Sequence, residues 1–167
     1  MYHTLADFFA QWEYESSSTA RLLDCLTDAS LAQAVVPGGR TAGRLAWHIA
    51  QTLPEMMNRT GLHVAGIDEH ALPPASAAEI AAAYRAASAS LVEEIRSKWN
   101  DASLTTDDDM YGERWTKAIT LGALVCHQIH HRGQLTVLMR QAGLQVPGMY
   151  GPAAEEWVQM GMEPPPV

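Results

Sequence analysis

Apolar positions along this chain recur at spacings of three and four, and clean alternation is absent. That pattern belongs to helices with one buried face, not to half-buried strands. Alanine is abundant and β-branched residues are sparse, which favours the same state. The spacing predicts a first helix over 4–27. Its stripe is Leu5, Phe8, Phe9, Trp12, Leu22, Leu23 and Leu26. Thr4 caps it, with Asp7 as the acidic residue three positions on. Pro37-Gly38-Gly39 marks a turn. A second helix is predicted over 41–62 with Pro54 inside it. Proline there removes a backbone donor and crowds the preceding turn, so a kink or break is predicted.

The segment 66–75 reads as a connector. A third helix starts at Ser76, where Ser76-Ala-Ala-Glu79 has the form of a capping box, and continues through Tyr84, Leu91 and Ile95 to about Trp99. A polar stretch over 100–117, with Asp107-Asp108-Asp109 and Tyr111-Gly112, predicts a long loop or a turn-rich hairpin. The fourth helix is predicted over 118–142, stopping at Gly143. A short C-terminal helix over 152–160 completes the chain. The expectation is an all-α fold, a four-helix bundle in a single domain over 1–167.

Composition narrows the function. At 47% hydrophobic and 18% charged, the chain has the balance of a folded domain. The net charge is −8, with only two lysines, Lys98 and Lys117, and scattered arginines. No basic stripe is available to neutralise phosphates, so no nucleic-acid partner is expected. An acidic surface also repels anionic lipid. The N-terminus lacks a basic segment followed by a long apolar one, and no apolar run is long enough to span a bilayer. Cys25 and Cys126 do not form a secreted disulfide framework. A reduced, cytoplasmic protein is expected.

The candidate chemistry lies in the histidines. His127 and His131 are four residues apart, so on a helix they stack on one face and can bind one metal. At about 100° per residue, Leu124, Gln134 and Leu138 share that face, while His130 falls at its edge. The pair therefore faces the core, and His130 faces an interface or solvent. Two core imidazoles are costly unless their nitrogens are satisfied, and a metal satisfies both. His48, on the apolar face with Leu45, Ile49 and Met56, is the best donor from another helix. His3, His63 and His70 fall at a terminus or near loops. Gln128 follows His127 where a zincin would need glutamate, so that mechanism is excluded. Gln134 is a candidate to support the ligands, and Glu55, seven residues after His48, a candidate base or ligand or a solvated carboxylate. Cys126 is expected to be buried. Arg44 and Arg59 flank His48 in sequence and are candidates for a substrate carboxylate or for ordinary ion pairs.

The run His127-x-x-x-His131-Arg132-Gly133-Gln134, followed by Leu138-Met-Arg-Gln-Ala-Gly143 and Pro147, resembles the DinB family. Leu45-Ala-Trp-His48-Ile-Ala is similar to that family's first histidine motif, and the likeness spans nearly the whole chain. The resemblance implies an up-down-down-up bundle, often a homodimer, with zinc or nickel on His48, His127 and His131. It also implies kinship with transferases and isomerases that use low-molecular-weight thiols.

Three histidines leave a fourth position open, as catalytic zinc sites do. Such a metal activates water for hydrolysis or holds a thiolate for group transfer to a small-molecule substrate. Two other classes stand beside the enzyme: a metal-binding protein without turnover, and a dimerisation module with a vestigial site.

Overall fold

The structure, a computed structural model, describes residues 2–68 and 70–166. Four long helices form the bundle: α1 Leu5–Asp24, α2 Ala42–Met57, α3 Ala77–Lys98 and α4 Lys117–Gln141. A hairpin of β1 Asp107–Met110 and β2 Glu113–Thr116 precedes α4, and the short α5 Ala154–Gln159 lies near the C-terminus.

Local chemistry sets most boundaries. Thr4 Oγ1 accepts from the Asp7 amide at 3.1 Å, and the Asp7 carboxylate accepts from the Thr4 amide at 3.1 Å. This reciprocal cap starts α1. Only half of the capping box predicted for α3 forms: Ser76 Oγ accepts from the Glu79 amide, with no return bond. The break predicted at Pro54 does not occur, because α2 runs through it to Met57. Pro54 stands in the last turn, where its missing donor costs one backbone bond, and its own carbonyl accepts from Asn58. The chain then tightens into a 3₁₀ turn and leaves at Gly61, whose φ is 81°.

The 100–117 stretch is the turn-rich hairpin. Asn100 caps a 3₁₀ turn over Asp101–Thr105, and β1 and β2 then pair antiparallel around Tyr111 and Gly112. Both turn residues have positive φ, 60° and 86°. This is the mirror-image turn whose twist suits a two-residue hairpin, and it normally carries asparagine and glycine.

Helix α1 packs on α3 and α4, and α2 packs on the same two, so α1 and α2 are diagonal partners. Phe8, Trp12, Leu22, Leu45, Ile49, Leu53, Ile80, Leu91, Ile95, Leu121, Leu124 and Leu135 fill the space between them. A buried ion pair lies within this core. Arg132 is 1% exposed and pairs with Glu15, which is 2% exposed, at 2.5 Å. The same guanidinium donates to the Glu15 carbonyl and to Thr19 Oγ1, at 2.9 and 3.2 Å. Tyr150 from the C-terminal segment donates to Glu15 at 2.6 Å, drawing that segment onto α1 and α4. Gly148 holds the turn beneath it, where an added Cβ would sit 2.4 Å from a Glu156 carboxylate oxygen and from the Gly151 carbonyl.

Removing one partner of a buried ion pair strands the other charge, at a cost of about 3–5 kcal/mol. Arg132→Met should therefore destabilise the protein by about that amount in urea denaturation. Pairing it with Glu15→Leu should recover part of the loss.

Candidate metal centre

Helix α2 supplies His48, and α4 supplies His127 and His131 one turn apart. Gln128 fastens the two helices at this level. It is fully buried, and its amide nitrogen donates to the Ile49 carbonyl at 2.9 Å and to Thr52 Oγ1 at 3.3 Å. A hydrogen bond beside His48 on one helix and beside His127 on the other fixes the approach of the imidazoles. Ring centroids lie 5.0 Å apart for His48 and His127, 4.7 Å for His48 and His131, and 4.3 Å for His127 and His131. One ligand atom from each of the three lies within 4.8 Å of the others.

The donor set fits a divalent transition metal. His131 Nδ1 lies 2.8 Å from Gln134 Oε1, an acceptor, so that nitrogen carries the proton and Nε2 presents a lone pair. That Nε2 is 3.1 Å from Nε2 of His127. Two imidazole nitrogens on a tetrahedral ion at metal–nitrogen distances of about 2.0–2.1 Å stand roughly 3.3 Å apart, close to this spacing. Gln134 completes its own pattern by pairing Nε2 with His130 Nε2 at 3.0 Å. The carbonyl-to-imidazole bond is how metal-binding histidines are held in one tautomer and orientation. His127 Nδ1 is buried without a hydrogen-bond partner among the described residues.

Burial also holds the imidazoles neutral, the form that binds metal. It lowers the pKa of His48 to about 4, helped by His131 and His127. His127 falls to about 4 by burial and its neighbours His131 and His130, and His131 is lowered chiefly by burial.

One cavity is lined by His48 of the triad, and a second by Gln134, the partner of His131. One, of about 250 Å³, is lined by Arg44, His48, Gln51, Thr52, Glu55 and His70. In it Glu55 accepts from Tyr111 Oη at 2.8 Å and from Arg59 Nε at 3.0 Å, so it is tied to the hairpin tip as well as to its own helix. Arg59 is thus in an ion pair with Glu55, and its guanidinium also lies over the Tyr111 ring. Arg44 Nη1 donates to Gln51 Oε1 at 3.1 Å. The other cavity, of about 400 Å³, is lined by Val35, Val36, Gly39, Arg40, Leu45, Gln134 and Leu138.

His48, His127 and His131 lie together, with Gln134 beside His131 and His130 exposed. Glu55 stands in the cavity with His48 but outside the three-histidine cluster. Cys126 is exposed, not buried, because a residue about 100° from the inward His127 points away from the core. Four residues escaped sequence reasoning. His70, in the connector, lines the His48 cavity. Tyr111 reaches Glu55 across 56 positions. Arg40 sits just before α2, and Glu15 looks like any helix-surface glutamate until Arg132 is placed. The only local signal was the positive-φ preference of Tyr111-Gly112, which marks a turn and not its contact.

A family model described as the DinB family matches residues 1–164. The chain is 42% identical over 165 residues to YrdA of Bacillus subtilis strain 168, described as uncharacterized, with 99% of each chain covered. It is similar to a crystal structure of a DinB-like protein from Bacillus cereus ATCC 10987, at TM-score 0.87 and 47% identity, covering 90% of this chain and 100% of that one. A second crystal structure, the DinB-like protein YjoA of Bacillus subtilis, superposes at TM-score 0.67 with 17% identity, covering 86% and 97%. That likeness speaks for the fold alone.

Gln134→Leu removes the acceptor for His131 while leaving all three imidazoles. It should weaken zinc affinity by about 10- to 100-fold in a chelator competition. Acid should act on the metal-free protein as well. Between pH 6.5 and about 4 the unfolded chain binds protons that the folded His48 and His127 refuse. Stability therefore falls as pH drops through that window. Thermal melts at stepped pH should show Tm declining across it, with a shallower decline in His48→Asn.

Proposed function

The chain belongs to the DinB family, and from that premise we propose that it is a metal-dependent enzyme joining two small molecules, one of them a low-molecular-weight thiol. The observation that carries this reading is a pair of separate cavities, one lined by His48 and the other by Gln134, which bonds to His131. A hydrolase needs room for one substrate and water, whereas group transfer needs two reactants at one point. Zinc or nickel on three imidazoles keeps a coordination position open and supplies a Lewis acid able to hold a thiolate at neutral pH.

The chain's own residues do the rest. His48, His127 and His131 are the proposed ligands, kept neutral by burial. Gln134 is a positioning residue, because it acts through His131. Glu55 is the proposed proton acceptor for the incoming thiol, since it is the carboxylate that shares a cavity with His48. Tyr111 and Arg59 hold its side chain in one pose. Two other features support the setting. Cys25 and Cys126 are free thiols, which suits a reducing cytoplasm. The outward face of α4, with Ile119 and Val137 exposed, carries no exposed charged side chain from Lys117 up to Arg140, which suits pairing of two copies.

Elemental analysis of tag-free protein tests the metal reading first. About one zinc or nickel per chain is expected, lost in His131→Ala. Incubation of the loaded protein with a small thiol and an electrophile, read by mass spectrometry, should give the thioether. Incorporation of labelled water into product instead would assign a hydrolase. A chain that takes up neither metal would be a scaffold or dimerisation module.

A further inference from the structure

The two cavities differ in charge. The one lined by His48 holds both the Arg44 guanidinium, which donates to Gln51, and the Glu55 carboxylate, which is paired with Arg59. The other contains one ionisable group, Arg40, among apolar side chains and the Gln134 amide. Arg40 is exposed and makes no hydrogen bond or ion pair with another described residue. It lines the same cavity as Gln134, whose side-chain carbonyl bonds to His131.

The loop that presents Arg40 is held in place. Ala34 and Thr41 form an antiparallel bridge, the Ala42 amide donates to the Gln33 carbonyl at 2.8 Å, and the Gly39 amide donates to the Val36 carbonyl at 3.0 Å. Thr41 then caps α2 by accepting from the Arg44 amide. Val35 and Val36 stand on this loop 61% and 57% exposed. Two exposed valines, a buried leucine pair (Leu45 and Leu138) and one guanidinium without a counter-ion make an amphipathic wall. Such a wall suits a ligand with an apolar body and a planar oxyanion, because guanidinium matches a carboxylate through two parallel N–H donors.

Resting on the function proposed above, we propose that this cavity is a substrate site for a small amphipathic carboxylic acid, with Arg40 as the residue that selects the carboxylate. The apolar body lies against Val35, Val36, Leu45 and Leu138. Arg40 meets the acid group, and the reacting end points past Gln134 to the triad.

The test uses full-length, cobalt-loaded protein and two probes, phenethylthiol and its analogue carrying a carboxylate beside the sulfur. Calorimetry gives both affinities, and the thiolate-to-cobalt absorption band reports whether sulfur reaches the metal. Wild type should bind the carboxylated probe about tenfold more tightly, as expected for one charge-assisted contact that is partly shielded from water. Arg40→Gln should abolish that preference without changing cobalt content or phenethylthiol affinity, and Arg40→Lys should restore part of it. Equal affinities in wild type, or a preference lost in Arg44→Gln and kept in Arg40→Gln, overturn the proposal while leaving the metal reading intact. A protein that takes up no cobalt overturns both. A carboxylate preference without the absorption band sustains the site and removes the thiol from the proposed function.

Discussion

The buried pair of Arg132 and Glu15 decides how α4 is turned in the bundle. A charge with 1% exposure has to meet its counter-charge or disrupt the core. The guanidinium therefore locks α4 at one rotation against α1. His131 precedes Arg132 by one residue, so the same rotation aims its imidazole towards His48. Gln128, one turn earlier, makes the second fixed contact, to Ile49 and Thr52 on α2. With α4 pinned to both diagonal helices, the three imidazoles converge.

This explains the chemistry packed into a short run of α4. His127 and His131 face the triad, Gln128 faces α2 and Arg132 faces α1. Gln134 returns from the rim to hold His131. The helix is amphipathic in no simple sense, because its polar residues are directed at partners on different sides. Burial both depresses the imidazole pKa values and makes each hydrogen bond to them worth more than it would be in water.

The hairpin carries a second constraint. Tyr111 occupies a left-handed backbone conformation that costs an ordinary residue about 1–2 kcal/mol relative to glycine. Its side chain compensates through the bond to Glu55, the Arg59 guanidinium over its ring and an edge contact with Trp115. A turn that would favour asparagine is thus occupied by the residue able to span from the hairpin to α2. The hairpin fixes the pose of the Glu55 carboxylate in the His48 cavity.

The sequence alone determined what depends on neighbours a few residues away. Helical period placed four long helices, Thr4 with Asp7 set the start of the first, and the four-residue interval of His127 and His131 put both rings on one face. The family motif joined His48 to them. Proline chemistry was also legible at Pro54, but its effect depends on how much helix remains beyond it, and only one turn does. Tertiary structure decided everything that spans distant positions. It turned Arg132 from a motif residue into the partner of Glu15, 117 positions away. It brought Tyr111 to Glu55 and His70 to the cavity of His48, and left Cys126 outside. It also placed Arg40 beside an apolar wall, with no counter-ion among the described residues. Local periodicity fixes which way a side chain points, but which group it meets depends on helix rotation and loop closure, and those are set by contacts between elements far apart in the chain.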